Sequence, residues 1–547
     1  MLRQVGIFPN SLVPSASSLT NNAVTVTGGT IGGNVYGAFT TGNETVSGNT
    51  VTINGGSIGG TVYGGNSSFG AATHNTVIIG ANAQLANTTE IHGGFSTGIN
   101  TFTGNTLHIA GRHTVRAIYN FEYLNFTLPG NLKDNGILIS ATNVNLGGAS
   151  TVNSINIAGG GTALAAGNTV TLLEATNWQG GSLIANHPTV TGMKGMSLLY
   201  EWDVAISGGD KIQATVRSVT LNPQTHALLS GRSAQGAVLG QGADLGQGAD
   251  LGQGADLGQG ADLAAGKGIA NLKASAKAGN KGFLAMQGGS SRYKTGSGID
   301  VDSFSFMGGA VWGTKLNAVT DAAVGVFFET GSGSFNSSNS FTNMASVKGS
   351  GNTNYVGAGL LGSLEWESGL YAEGSLRFGR VESDLDTDFI KSGQRGSYDD
   401  TTSLYAGAHL GLGYKWQVTQ ADALDMYARY LWTHVDSDDV RVLGDKYHFD
   451  STDSHRARAG VKYAHTVGGF TPYAGIAYEF EFDGKAGGRV HGYNLKETDM
   501  GGSTVIGEVG LSWVPTAMKN ASLDLALEGF AGERDGFMGN VRFNYRF

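Results

Sequence analysis

Over residues 281–547 apolar and polar side chains alternate in runs of about ten or more. Twelve such runs follow one another, near 282–293, 303–316, 320–331, 353–366, 369–382, 402–416, 423–434, 455–467, 470–483, 503–514, 521–531 and 537–547. A period of two marks a β-strand with one apolar and one polar face. A tilted strand needs ~9–11 residues to cross a bilayer, and each run is long enough. Connections after runs two, four, six, eight and ten are short (Leu316–Val319, Glu367–Ser368, Gln417–Asp422, Gly468–Gly469 and Pro515–Asn520), whereas those after runs three, five, seven and nine are long and polar. An even number of antiparallel strands joined by alternating turns and loops predicts a transmembrane β-barrel, with turns in the periplasm and loops outside.

Charges keep to one face of these runs. Leu370, Ala372, Leu376 and Phe378 oppose Glu373 and Arg377; Ala474, Ile476, Tyr478 and Phe480 oppose Glu479; Val509, Leu511 and Trp513 oppose Glu508; Leu523, Leu525 and Leu527 oppose Asp524 and Glu528. Together with Arg429, Arg458 and Lys462 these are the expected lumen charges. A soluble open sheet of this size would leave its apolar face without a partner, which soluble proteins rarely tolerate. Trp312, Trp366, Trp416, Trp432 and Trp513 near strand ends fit interfacial aromatic girdles. The last run puts Val541, Phe543, Tyr545 and Phe547 on the lipid side, opposite Arg542, Asn544 and Arg546.

Residues 1–217 alternate differently, in short β runs punctuated by glycine. Val24-Thr-Val-Thr-Gly-Gly-Thr-Ile31-Gly-Gly-Asn-Val35-Tyr36-Gly37 returns 27 residues later as Val51-Thr-Ile-Asn-Gly-Gly-Ser-Ile58-Gly-Gly-Thr-Val62-Tyr63-Gly64. Looser copies begin at Asn75 and Asn105. Runs recurring every 20–30 residues with Gly/Asn turns predict a right-handed parallel β-helix, whose coils bury their apolar faces only by stacking. Residues 218–280 lose the alternation. Gln224–Gln235 and Ala264–Ala278 suit helices. Between them Leu239, Leu245, Leu251, Leu257 and Leu263 recur at six, in near-identical Gly-Gln-Gly-Ala-Asp-Leu units. At ~3.6 residues per turn such leucines drift ~120° each time and form no stripe, and each glycine costs a helix roughly 1 kcal/mol. The near-identity of the units is therefore read as a tandem expansion inside a linker.

The composition suits strands and turns. The chain has 89 Gly, 7 Pro and no Cys among 547 residues, and 14 % of residues are charged. No stretch is apolar over the roughly 18 residues a membrane helix needs. Lack of cysteine excludes disulfides and thiolate metal sites. Of the net charge of −9, residues 1–217 carry little, with 8 acidic against 7 basic groups. That balance gives no footprint for nucleic acid. Residues Met1–Pro9 lack the basic start and apolar core of a secretory signal, so export predicts a start upstream of this one.

Leu221-Asn-Pro-Gln-Thr225, Gln259-Gly-Ala-Asp-Leu263, Ser290-Ser-Arg-Tyr293, Val301-Asp-Ser-Phe304 and the terminal Phe547 resemble a classical monomeric autotransporter, a type V secretion protein of Gram-negative bacteria, over roughly 220–547. The resemblance implies a twelve-stranded β-domain in the outer membrane, a helix threading its lumen, and an N-terminal passenger carried to the cell surface. The domains expected are a passenger at 1–217, a linker at 218–280 and the barrel at 281–547. Implied partners are outer-membrane lipid, periplasmic chaperones and the barrel-assembly machinery, which in the family reads a terminal strand like Val541, Phe543, Tyr545 and Phe547. A monomer is implied, with a passenger of adhesin type meeting a receptor on a host or bacterial surface. The chain departs from the family in its hexapeptide expansion and short passenger, and 218–280 holds no Asn-Asn pair for lumenal cleavage.

A lumen helix of about 20 residues spans a ~30 Å hydrocarbon layer, and 264–278 with its upstream residues supplies that length. Lys267, Lys273 and Lys277 would then face the lumen acids; alternatively those acids balance Arg377, Arg429, Arg458 and Lys462. No catalytic, cofactor or metal site is expected. His74, His92, His108 and His113 stand alone, without paired carboxylates. Two other classes remain open: a surface enzyme, with a hydrolase passenger or a barrel protease acting through His434, Asp436, Asp438 and Asp439, and a simple porin.

Overall fold

The computed structural model describes residues 18–184, 189–248, 280–294, 298–388, 395–518 and 520–547. It divides into two units, Met1–Asn222 with Leu443–Asp445, and Pro223–Val442 with Lys446–Phe547.

The first unit is a β-solenoid. Strands Ala23–Val26, Thr50–Ile53, Thr76–Ile79, Thr106–Ala110 and Tyr123–Leu128 pair in parallel, in a register that sets Val26, Ile53, Ile79, Ile109 and Phe126 in one buried column. A second buried column, Val35, Val62, Ile91, Ile118 and Val144, lines another side of the coil. The 27-residue repeat is thus the register itself, Val24 on Val51 and Ile31 on Ile58. A turn of the coil is held by a ladder of buried amides: Asn49 Nδ2 donates to Asn75 Oδ1 (3.0 Å) and Asn75 N to Asn105 Oδ1 (2.8 Å). Each such side chain accepts from its neighbour's backbone N–H, so the turn buries no unpaired donor there. The parallel stack does not run to residue 217. Strands Val190–Lys194, Leu198–Ser207 and Lys211–Leu221 form an antiparallel meander whose Trp202 and Tyr200 are buried and stacked (5.4 Å). Hairpin pairing closes the last coil, where another parallel strand would leave an open edge.

The second unit is a closed twelve-stranded barrel. Its first six strands are β1 (Asn280–Lys294), β2 (Gly298–Asn317), β3 (Thr320–Phe341), β4 (Met344–Trp366), β5 (Leu370–Thr387) and β6 (Gly396–Gln417). The others are β7 (Asp422–Val435), β8 (Thr452–His465), β9 (Phe470–Asp483), β10 (Gly502–Trp513), β11 (Ala521–Gly532) and β12 (Arg534–Arg546). All neighbours are antiparallel, and β12 closes on β1 with Phe283 opposite Asn544. Each of the twelve runs legible in the sequence is one of these strands. The connection after the third run is not a long loop, however. Strands β3 and β4 stay paired as far as Phe341 and Met344, and turn on Thr342 and Asn343, the latter at φ 61°. Both faces are polar there, so no alternation betrays the strand, although its backbone still pairs.

Candidate functional site in the barrel lumen

A 3₁₀ turn, Pro223–Leu229, leads into helix α1 (Ser230–Gly248), which runs inside the barrel against the inner faces of β1–β5, β7 and β8. The helix expected at 264–278, with Lys267, Lys273 and Lys277, lies outside the described residues. The first hexapeptide unit, Gly240–Leu245, and part of the second are helical despite their glycines. In an enclosed pore the backbone must satisfy its own polar groups, and a helix does so within one segment. The glycines also let the wall come close. A Cβ at Gly242 would stand 2.9 Å from Cζ of Tyr355, and one at Gly236 3.0 Å from Cε of Met500.

The wall holds the helix from end to end. Near its start Arg232, 2 % exposed, donates to Ser403 Oγ (3.0 Å), Gln235 Oε1 (2.9 Å) and the carbonyls of Asp436 (2.6 Å) and Asp450 (3.1 Å). Ser233 and Thr498 share a hydroxyl hydrogen bond of 2.6 Å. At mid-helix Arg377 donates to the Leu239 carbonyl (2.7 Å) and Arg456 to that of Gly240 (3.0 Å). Gln241 donates to the Tyr293 hydroxyl (3.2 Å) and accepts from Ser303. Asp244 is the far anchor, with Oδ1 3.1 Å from Arg456 and 2.8 Å from Arg458 and Oδ2 2.8 Å from Arg534. Leu245 closes an apolar cluster with Phe283, Ala285, Met307, Val311 and Phe327.

The lumen charges therefore meet each other and an acid of the helix. Glu373 accepts from Arg429 (2.8 Å), Glu479 from Arg458 (2.6 Å), and Glu508 pairs with Lys462 (2.9 Å). Asp524 accepts from Tyr473 (3.0 Å) and Ser512 (2.5 Å), Glu528 from Asn540 (3.0 Å). Arg377 lies 3.4 Å from Glu329, which also accepts from Tyr405 (2.6 Å). Strand facing, which points to Arg458, points equally to Arg456 two residues earlier on the same face, but Arg232, Asp244 and Arg534 lie outside the twelve runs. A signal for two of them stands in the chain: Arg232 is the sole Lys or Arg between Arg217 and Lys267, and Asp244 the first acid after Asp210.

The outer face is apolar. Leu404, Leu410, Leu412, Phe378 and Leu376 project outward, Leu410 at 68 % exposure. Trp366, Trp416 and Trp513 stand at the turn-side ends of β4, β6 and β10, and Trp432 near the loop-side end of β7. On β12 Phe543 and Tyr545 face outward beside Phe547, itself 79 % exposed.

Of the loop candidates His434 meets Asp436, whereas Asp439 pairs elsewhere. His434 is held on one side by Asp453 (2.9 Å) and on the other by Asp436 (3.2 Å), whereas Asp439 pairs with Lys446 (2.8 Å) and His448 (2.9 Å). The hydrogen bond from Lys446, with that of His448, holds the Asp439 carboxyl below its usual range. Among the described residues no group of His, Asp and Glu is placed to hold a metal. In the solenoid His92 stacks between Tyr63 and Tyr119, each 4.8 Å away, and Nε2 of His113 lies 2.8 Å from the Ala110 carbonyl.

A closed twelve-stranded barrel with an apolar outer belt and a helix bonded into its lumen is a transmembrane β-barrel fold. Residues 283–528 match the family model of the autotransporter β-domain. The β-domain of the Bordetella autotransporter BrkA is similar at 14 % identity and a TM-score of 0.40, covering 49 % of this chain and all of that one. The translocator domain of NalP from Neisseria meningitidis is 14 % identical, at a TM-score of 0.37 over 49 % of this chain and 88 % of that one. The transport unit of AIDA-I from Escherichia coli is 15 % identical, at a TM-score of 0.38 over 49 % and 90 %. A comparison with curated proteins finds no match. The barrel of this chain is an autotransporter β-domain, which sits in the outer membrane of Gram-negative bacteria and translocates a passenger.

Proposed function

We propose that the N-terminal unit is the passenger and serves as an adhesin-like contact surface, carried outward by the barrel of the same chain and tethered by α1. The supporting observation is a strip of rings on the solenoid. Tyr36, Tyr63, His92 and Tyr119 follow one another coil upon coil at 4.8–5.0 Å between ring centres, Tyr36 and His92 buried; Phe95 packs against this strip and, with Phe69 and Ile99, is exposed. Aromatic groups fixed on a rigid scaffold suit recognition, because little side-chain entropy remains to be lost on contact. The partners of this reading are outer-membrane lipid, periplasmic chaperones, the barrel-assembly machinery reading Val541, Phe543, Tyr545 and Phe547, and a receptor on a host or bacterial surface; the working state is a monomer.

Cells displaying the full chain are expected to adhere to host cells or to one another. A Phe69→Ala, Phe95→Ala, Ile99→Ala triple variant at equal surface abundance should lower adhesion several-fold. Equal adhesion by both chains and by cells without either would overturn the adhesin reading.

A further inference from the structure

Helix α1 is built from two kinds of sequence. Its second half opens the hexapeptide series: Gly240-Gln-Gly-Ala-Asp-Leu245 is followed without change by 246–251, 252–257 and 258–263. Its first half does not repeat. Residues 234–239 read Ala-Gln-Gly-Ala-Val-Leu, with Val238 where later units have Asp, and Arg232 stands six residues before Val238. A helix advanced by six residues along its own screw, ~9 Å, presents each unit in the place of the one before it. The barrel contacts of Gln241 and Asp244 would then be offered Gln247 and Asp250, the same side chains at the same spacing. The second half of α1 thus fits the lumen in more than one register.

The connection does not forbid the advance. Residues 249–279, at ~3.3 Å each when extended, reach several times across a ~30 Å layer. Retreat by six is blocked by the wall itself, because Val238 would face Arg456, Arg458 and Arg534 and withdraw the Asp244 carboxylate from three buried cations, of which Arg456 and Arg458 would keep Glu479. Advance by six is blocked at the other end. Val238 would replace Arg232 among Ser403 Oγ and the carbonyls of Asp436 and Asp450, and Leu239 would replace Ser233 against Thr498.

We propose that Arg232 is the residue that sets the register of the tether: the Asp244 seat accepts any hexapeptide unit, and Arg232 selects which unit occupies it. It is a positioning residue, and it determines where outward movement of the linker stops. The inference rests on the β-domain translocating its own linker; the test below reads register alone, so it fails independently of any passenger activity.

The chain has no cysteine, so cross-linking is clean. Ser303→Cys is combined with Gln241→Cys or with Gln247→Cys in the full chain in outer membranes, and pairs are captured with a short bifunctional thiol reagent. In the native background 241–303 should cross-link and 247–303 should not. Arg232→Ala with Asp244→Val leaves the native register with no Asp for the three arginines. In that background the advanced register restores Asp250 to them and sets the valine introduced at position 244 in the place of Val238. The double variant should therefore reverse the pattern, with 247–303 exceeding 241–303 at least tenfold. Asp244→Val alone should keep 241–303, because Arg232 remains. A double variant still linked at 241–303, or a switch caused by Asp244→Val alone, would overturn the proposal. Heat-modifiable mobility reports assembly of each barrel. If the double variant does not assemble, Arg232→Ala with Asp244→Ala takes its place; 247–303 is again expected to exceed 241–303, and no rise overturns the proposal.

Discussion

At the scale of single residues the lumen is a problem of desolvated charge. Asp244 pairs with three buried guanidinium groups, two of which also meet Glu479, and a carboxylate is the strongest partner available to an arginine. Removing one partner of a buried ionic cluster costs more than the cluster contributes, because the remaining charges stay buried. Asp244→Ala is therefore expected to destabilise the seated helix by about 3–5 kcal/mol. The readout is single-channel conductance of the purified protein in planar bilayers. Frequent openings in the variant against a mostly closed native channel are expected; equal conductance would mean that the apolar seat of Leu245 and the Arg232 contacts hold the plug without Asp244.

At the scale of elements, α1 and β12 show opposite relations between sequence and structure. The terminal strand is legible because its two environments differ in polarity, so Val541, Phe543, Tyr545 and Phe547 must alternate with Arg542, Asn544 and Arg546. Its pairing with β1 closes the barrel, and Phe547 projects beyond the last paired residue, Arg546. Phe547→Ser leaves the closing hydrogen bonds intact but removes the terminal aromatic. It is expected to reduce the amount of heat-modifiable barrel in membranes several-fold; wild-type amounts would show that the terminal aromatic is no assembly signal. The lumen helix is illegible for the reverse reason. Propensity argues against a segment with Gly231, Gly236, Gly240 and Gly242, yet the lumen supplies Tyr398, Met500 and Tyr355, which crowd Gly231, Gly236 and Gly242 and make glycine the fitting residue there. The side chains that decide this come from strands more than a hundred residues away.

At the scale of the whole molecule there are two units with separate cores. The solenoid is stabilised by columns of Val, Ile and Phe, and its coils carry histidines that burial keeps neutral. Desolvation lowers the pKa of His92 and of His113, partly opposed by Glu90 at 3.1 Å from His92 and by the Ala110 carbonyl at His113. A group with a depressed folded pKa binds protons more readily in the unfolded chain, so stability falls as pH drops below the free-histidine value of about 6.5. The melting midpoint of the solenoid transition, followed by circular dichroism, should fall by several degrees between pH 7.5 and pH 5.5, and His92→Gln with His113→Gln should flatten that dependence. An unchanged midpoint in the native chain would mean that neither site resists protonation.

The sequence by itself determined what depends on a repeating contrast between neighbouring side chains. Period two, carried through twelve runs, settled the barrel and its strand order. The 27-residue repeat settled the solenoid and its coil register. Tertiary structure alone decided what depends on enclosure or on closing an edge: that 230–248 is a helix in the lumen, that Asp244 anchors it to three arginines, that β3 and β4 run on through polar residues, and that the solenoid ends in an antiparallel meander. The physical reason is that local polarity patterns record which solvent each face meets, whereas a segment inside a closed pore meets the pore wall, whose residues are assembled only when the barrel closes.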